Sequence, residues 1–207
     1  RLSAADEKKL LTGAIDRLPP GRAVTGTSPT IAVPALQSVD LVFLALHGGT
    51  GENGTIQALL DLAAIPYTGS GTLGSALAWD KDIAKRLFVA AGVPTPDWLM
   101  APAPDALVVE RLGLPLIVKP NGQGSTVGLT LVHNSSGLQA AIELAGQFDN
   151  AVMLERYIAG RELTVGILDD QVFPVGEIIP RNGPIFDYAA KYQVGGADEV
   201  FPAPIPA

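Results

Sequence analysis

The chain contains no cysteine among its 207 residues. Disulfides, thiolate zinc sites and cysteine nucleophiles are therefore excluded, and the composition is compatible with a reducing cytoplasm. Charge is scarce as well: 17% of residues are charged, the net charge is −7, and Lys and Arg form no cluster. Nucleic acid is not an expected partner, because neutralising a phosphate backbone takes clustered cations. Long apolar runs are missing. Stretches such as Leu41–Leu46 fall far short of the ~20 residues a membrane-spanning helix needs, so no membrane association is expected. The first residues are polar, with Lys8 and Lys9 and no apolar run behind them, so no signal peptide is expected. The Gly-Lys-Ser/Thr of a P-loop is absent too.

What is present suits a well-buried globular enzyme. Hydrophobic residues make up 47% of the chain, and the length allows one large domain or two to three small ones. The chain opens without Met and closes on Phe201-Pro-Ala-Pro-Ile-Pro-Ala207, which leads us to expect a piece of a longer protein. A homodimer is compatible with the sequence, which does not decide oligomeric state.

Residues 3–17 predict a short amphipathic helix with Ser3 as N-cap. The β-branched and aliphatic run from Val39 to Leu46 predicts a strand covered on both faces. His47 to Gly54 reads as a loop, Thr55–Ala64 as a helix and Ile65–Tyr67 as a short strand. One helix is predicted from about Ser75 to Ala91. Beyond it come a strand near Trp98–Ala101, a helix near Asp105–Leu112, a strand Leu116–Lys119, and a second strand Gly128–His133 forming a hairpin with it. Ser135 is the predicted cap of a helix to Phe148, and Ala151–Tyr157 a strand. Glu162–Leu168 and Val172–Ile179 are expected to pair through the turn Asp169-Asp170-Gln171. The end, from Pro184, reads as loop. The fold class is thus α/β, with α+β character after residue 80.

Lys119 to Gly128 reads Lys-Pro-Asn-Gly-Gln-Gly-Ser-Thr-Val-Gly and follows an apolar strand. A strand-end lysine offers a fixed ammonium. Glycines let backbone N–H groups approach phosphate oxygens without Cβ clashes, and Ser125 and Thr126 add hydroxyl donors. A plain strand followed by a glycine-rich turn is the alternative. Gly69-Ser-Gly-Thr-Leu-Gly74 matches G-x-G-x-x-G by letter, but its strand is short and no acidic residue ends a later strand at the required distance, so no dinucleotide site is expected. Lys81, Glu155 and Glu162 also sit where a nucleotide site would use them. Each has a plainer reading when taken singly: Lys81 a solvated helix lysine, the glutamates strand-end carboxylates in water, and His47 a strand-end histidine satisfied by backbone.

Together the pieces resemble the ATP-grasp superfamily, and within it the D-alanine–D-alanine ligases. The matching segments are Leu44-Ala-Leu-His-Gly-Gly-Thr-Gly-Glu-Asn-Gly-Thr-Ile-Gln57, Ile65-Pro-Tyr-Thr-Gly-Ser-Gly71, Ser75-Ala-Leu-Ala-Trp-Asp-Lys81, Leu114-Pro-Leu-Ile-Val-Lys-Pro120, Gly124-Ser-Thr-Val-Gly128, Leu154-Glu-Arg156, Gly160-Arg-Glu162 and Phe186-Asp-Tyr-Ala-Ala-Lys-Tyr192, in family order from about residue 40. The resemblance implies an ATP-grasp fold: a partial N-terminal α/β domain over 1–79, a central subdomain with a glycine-rich lid over 80–160, and the start of a C-terminal subdomain over 161–207. It implies ATP-dependent joining of two D-alanines through an acyl phosphate, in the cytoplasm, for peptidoglycan synthesis.

It also implies roles. Lys81 and Lys119 contact ATP phosphates, and the loop carrying Gly122, Gly124, Ser125, Thr126 and Val127 folds over them. Glu155 accepts the adenine amino group, Arg156, Tyr157 and Ile158 continue beside the base, and Glu162 accepts the ribose hydroxyls. His47 lies near the first D-alanine. Ser125 and Tyr192 help close the substrate pocket, and Lys191 reaches the γ-phosphate. The Lys191-Tyr192 pair resembles the D-alanine-specific ligases rather than their D-lactate-using relatives. Two parts of the family pattern have no match: an N-terminal glycine-rich segment with a glutamate, and the Asp, Glu and Asn that bind Mg²⁺, which Asp198 and Glu199 do not resemble. No residue of this chain is therefore assigned to the metal. Another carboxylate–amine ligase, a non-catalytic nucleotide-binding module and, most distantly, a dinucleotide oxidoreductase are the competing readings.

Overall fold

The computed structural model describes residues 39–181, 186, 188–193 and 195–206. It divides into two compact units, Arg1–Asp80 and Lys81–Ala207. The helix expected over residues 3–17 lies outside the described residues.

In the first unit, α1 (Thr55–Leu62) and α2 (Thr72–Trp79) follow a loop that makes one 3-10 turn at Gly49–Gly51. Apolar residues recur at helical spacing on α1. Ile56, Leu59 and Leu60 form a small core that receives Val42, Leu44, Leu46, Ile65 and Tyr67. The strand expected over 39–46 is not formed among the described residues. The segment makes a single parallel bridge, Val42 to Tyr67. The ladder ends there because Thr68 offers the next donor, Leu44 N–H, its hydroxyl at 3.0 Å instead of a carbonyl. Nor are both faces covered: α1 packs on one, while Leu41 and Phe43 are exposed.

The single helix expected from Ser75 to Ala91 is two. Asp80 is extended (φ −79°, ψ 105°) and separates α2 from α3 (Lys81–Ala90). The start of α3 is capped from afar: Asn121 Oδ1 accepts the Asp82 N–H at 2.9 Å, and the Asn121 carbonyl accepts that of Lys81 at 3.4 Å.

The second unit is built on a four-stranded antiparallel sheet of β1 (Trp98–Met100), β2 (Leu116–Pro120), β3 (Thr130–Val132) and β4 (Val152–Arg156), in the order β1-β4-β2-β3. Helices α4 (Asp105–Leu112) and α5 (Leu138–Gly146) cover one face. Val108, Leu112, Leu138, Ala141 and Ala145 meet Leu116, Val118, Val132, Val152 and Leu154 there, each larger aliphatic contributing about 1.5–3 kcal/mol by burial. Side chains alternate along a strand, so Ile117, Lys119, Met153 and Glu155 belong to the opposite face. Ser135 does not cap α5 through its side chain: it opens a 3-10 turn, Ser135–Gly137, which leads into the helix.

Beyond β4 lie β5 (Glu162–Thr164), β6 (Ile167–Leu168), β7 (Gln171–Val172) and β8 (Gly176–Pro180). The expected long hairpin exists in two pieces, β5 with β8 and β6 with β7. The end is not all loop: α6 (Tyr188–Tyr192) and β9 (Ala197–Val200) form, and β9 pairs with β8.

Candidate nucleotide-binding cleft

The alternating face of β2 and β4 places two charged groups side by side. Glu155 stands opposite Ile117 in the sheet, one diagonal step from Lys119, and Lys119 Nζ donates to Glu155 Oε2. A second lysine, Lys85 of α3, donates to Glu155 Oε1 at 2.6 Å. Glu155 is thus not the solvated strand-end carboxylate of the plainer reading. Burial pushes its carboxyl pKa up, but the Lys119 and Lys85 ammoniums outweigh that and hold it below the usual carboxylate value. Sequence reasoning passed over Lys85. The available signal was its spacing: it lies four residues after Lys81, on the same helix face.

Lys81 is the first residue of α3, and its ammonium turns into the glycine-rich loop. It donates to the carbonyls of Asn121, at 3.0 Å, and Gln123. It is not a solvated helix lysine. The loop is anchored at its start, where Asp149 accepts the Gly122 N–H at 2.6 Å and the Phe148 carbonyl accepts from the Gln123 amide at 3.1 Å. The Gly122 donor is therefore committed to Asp149. At the other end, Gly128 has φ +69°, and a Cβ there would lie 2.7 Å from Phe148 and 2.9 Å from Pro120. Only glycine fits both demands. Between the anchors Ser125 and Thr126 take left-handed backbone (φ 51° and 61°), an uncommon state for non-glycine residues that tertiary contacts must hold. Those contacts are Ser125 Oγ with the Tyr192 hydroxyl at 2.6 Å and Thr126 Oγ1 donating to the Phe186 carbonyl at 3.1 Å.

A cavity of about 260 Å³ opens under this loop, lined by Lys81, Lys119, Gln123–Val127 and Lys191 among others. Three lysines line it and no carboxylate does. Its volume is below the ~300–1,000 Å³ of typical small-molecule sites, which suits a compact anion better than a whole nucleotide. Lys191 also stacks its ammonium 5.3 Å from the Phe186 ring centroid. Chemically, the arrangement can hold an oligophosphate: ammoniums from a helix start, a strand and α6 converge under a loop of hydroxyls and glycines.

The remaining expected residues lie around or apart from this cavity. Glu162 accepts the Phe186 N–H at 3.2 Å. The Arg156 guanidinium is tied to Asp97 at 3.0 Å and to the Arg111 carbonyl at 2.7 Å. Tyr157 and Ile158 follow the end of β4, with Ile158 exposed. His47 is exposed and lies in the first unit, in the loop where Glu52 accepts the Gly48 N–H. That unit has its own cavity of about 410 Å³, lined by Gly51, Glu52, Gln57, Gly69, Ser70, Gly74 and neighbours. Among the described residues no group of three or more His, Asp or Glu side chains converges as a metal site would require. The described residues thus do not fit Mg²⁺, and none is given to it.

Comparison with known proteins bears on the whole length. A family model described as the D-ala D-ala ligase C-terminus matches residues 87–207, and one described as the N-terminus matches residues 3–70. The second match begins well ahead of residue 40, where the quoted motifs start. The D-alanine–D-alanine ligase of Synechococcus sp. (strain JA-3-3Ab) is 46% identical over 172 residues, covering 81% of this chain and 53% of the relative. The crystal structure of VanG D-Ala:D-Ser ligase from Enterococcus faecalis aligns with a TM-score of 0.69 at 40% identity, over 82% of this chain and 51% of that one. The D-alanine–D-alanine ligase structure from Bacillus anthracis aligns with a TM-score of 0.73 at 32% identity, over 100% of this chain and 70% of that one. The chain spans about half the length of the curated relatives it matches. With an ATP-grasp fold and both halves matched, the chain belongs to the D-alanine–D-alanine ligase family.

Proposed function

We propose that this chain carries the ATP cradle of an enzyme that joins two D-alanines. The cleft of Lys81, Lys119 and Lys191 under the Gly122–Gly128 loop is the observation that carries the reading. In it, Lys81 and Lys119 hold the phosphates, and fixed ammoniums stabilise the charge that grows as the γ-phosphoryl group departs. Gly124, Ser125, Thr126 and Val127 fold over them and exclude water. Lys191 serves the γ-phosphate. Glu155 and Glu162, acceptor-only groups, take the adenine amino group and the ribose hydroxyls. Gly122, with its N–H already given away, shapes the loop rather than donating. Arg156, with its guanidinium tied back, contributes main chain beside the base, followed by Tyr157 and Ile158. Ser125 and Tyr192 help close the amino-acid pocket, and for His47 of the first unit the family resemblance implies a role toward the first D-alanine.

The chemistry is two-step. The carboxylate of one D-alanine attacks the γ-phosphorus, giving an acyl phosphate and ADP. The amino group of the second attacks the acyl carbon, and the C–O bond to phosphate breaks. Water must be kept from the intermediate, which the Ser125–Tyr192 and Thr126–Phe186 contacts support by tying the loop to the α6 segment. No helix among the described residues is long and apolar enough to cross a membrane.

A two-part experiment tests this. Calorimetry with ATP reads the cradle, and phosphate release with ATP, Mg²⁺ and D-alanine reads the ligation. Binding with D-alanine-dependent release supports the proposal. Binding without release favours a non-catalytic module, and no binding removes the reading. Similarity to a D-Ala:D-Ser ligase makes D-serine the competitor to test as second substrate.

A further inference from the structure

Lys85 has no role in the nucleotide reading, yet it is 5% exposed. Its ammonium touches Glu155 Oε1 at 2.6 Å and Thr95 Oγ1 at 2.7 Å and lies 5.0 Å from the Trp98 ring centroid. A buried ammonium is costly unless paired, so its pairing defines what it does. Glu155 has two oxygens and two lysines. Lys119 holds Oε2 and lines the anion cavity; Lys85 holds Oε1 and does not line it. The other neighbours are Trp98 of β1, whose indole N–H goes to Asp82 at 2.7 Å, and Thr95 before it.

A phosphate entering the cavity competes with Glu155 for Lys119. If Lys119 were the only cation on Glu155, that exchange would leave a bare buried carboxylate beside incoming negative charge. It would then protonate or repel the ligand. With Lys85 in place, the carboxylate keeps a counterion and its orientation.

We propose that Lys85 is a positioning residue that holds Glu155 ionised through Oε1 while Lys119 changes partner from Oε2 to the nucleotide phosphates, leaving Oε2 to accept the amino group of the base. The inference rests on the nucleotide reading given above. It has a consequence that a merely structural lysine lacks. An oriented carboxylate favours adenine, which offers an amino group, over hypoxanthine, which offers a carbonyl oxygen at the same place.

The test compares the affinities of ATP and ITP by calorimetry for the wild-type protein, Lys85→Met, Lys85→Arg and Thr95→Val, with thermal melts to establish folding. The wild type is expected to prefer ATP by about tenfold, the worth of one charge-assisted hydrogen bond. Lys85→Met is expected to reduce that preference to about threefold or less, Thr95→Val to fall between, and Lys85→Arg to recover most of it. A folded Lys85→Met with undiminished preference overturns the inference and leaves the nucleotide reading standing. So does a wild type that binds ATP and ITP equally. If Lys85→Met does not fold, Thr95→Val decides: a reduced preference supports the inference, an unchanged one overturns it. A wild type that binds neither nucleotide overturns the nucleotide reading and the inference with it.

Discussion

Among the described residues, a glycine-rich cavity in each unit can be compared, and the larger of the two is the less suited to phosphate. The cavity of the first unit, about 410 Å³, is lined by Thr68, Gly69, Ser70, Gly74 and Ser75 and by Glu52, with no lysine or arginine. The cavity of the second unit, about 260 Å³, is lined by three lysines and no carboxylate. Glycine makes backbone donors accessible in both. What separates them is the charge beneath the loop. In the first unit a carboxylate folds onto the loop and takes the Gly48 N–H, while in the second the ammonium of Lys81 takes loop carbonyls. A glycine motif alone therefore says little about anions; the sign of the nearest fixed charge says more.

Removing the groups that make this difference gives graded outcomes. The largest effect is expected for Glu155→Gln, which leaves the Lys85 and Lys119 ammoniums facing each other without a counter-charge. Chemical denaturation should show a loss of about 3 kcal/mol, as for other broken buried pairs. The same carboxylate makes acid the weak side. Its folded pKa is depressed below 4.5, so its stabilisation is full above that value and is lost as pH falls through the folded pKa. A wild type that unfolds in acid no earlier than Glu155→Gln does, relative to neutral pH, would count against this coupling.

Next comes Gly128→Ala, where positive φ and a Cβ 2.7 Å from Phe148 combine. Melting experiments should show a cost of about 1–3 kcal/mol. Ser125→Ala removes the 2.6 Å contact with Tyr192 at an exposed position. Its stability cost should stay under about 1 kcal/mol, with a clearer fall in D-alanine-dependent phosphate release than in ATP affinity. Smallest of all is Glu52→Gln in the first cavity, for which calorimetric ATP affinity should remain within about twofold, as expected of a site that holds no phosphate.

The four-stranded sheet and its glycine loop were legible because local patterns agreed. Leu114–Val118 is apolar and β-branched, punctuation follows it, and α4 runs over the residues its pattern predicts. The break at Asp80 was not legible. No glycine or proline interrupts residues 75–91, and the cap that starts the second helix comes from Asn121, 40 residues along the chain from Lys81. β9 was illegible for a different reason. Ala197-Asp-Glu-Val has little intrinsic strand preference and is held by register with β8. Motifs single out Lys119 and Glu155 only as separate groups. That they form one network with Lys85 depends on strand register and on where α3 lies, which no local window encodes.

In the proposed cradle Lys81 and Lys119 bind the phosphates of one nucleotide. The most direct measurement is the affinity of Lys81→Met and Lys119→Met for ATP and for adenosine, by calorimetry or by ligand-observed NMR. Each substitution is expected to weaken ATP by about tenfold or more while adenosine changes by less than about twofold, because only ATP carries the charge they answer. Equal losses for both ligands, or no loss for ATP, would contradict it.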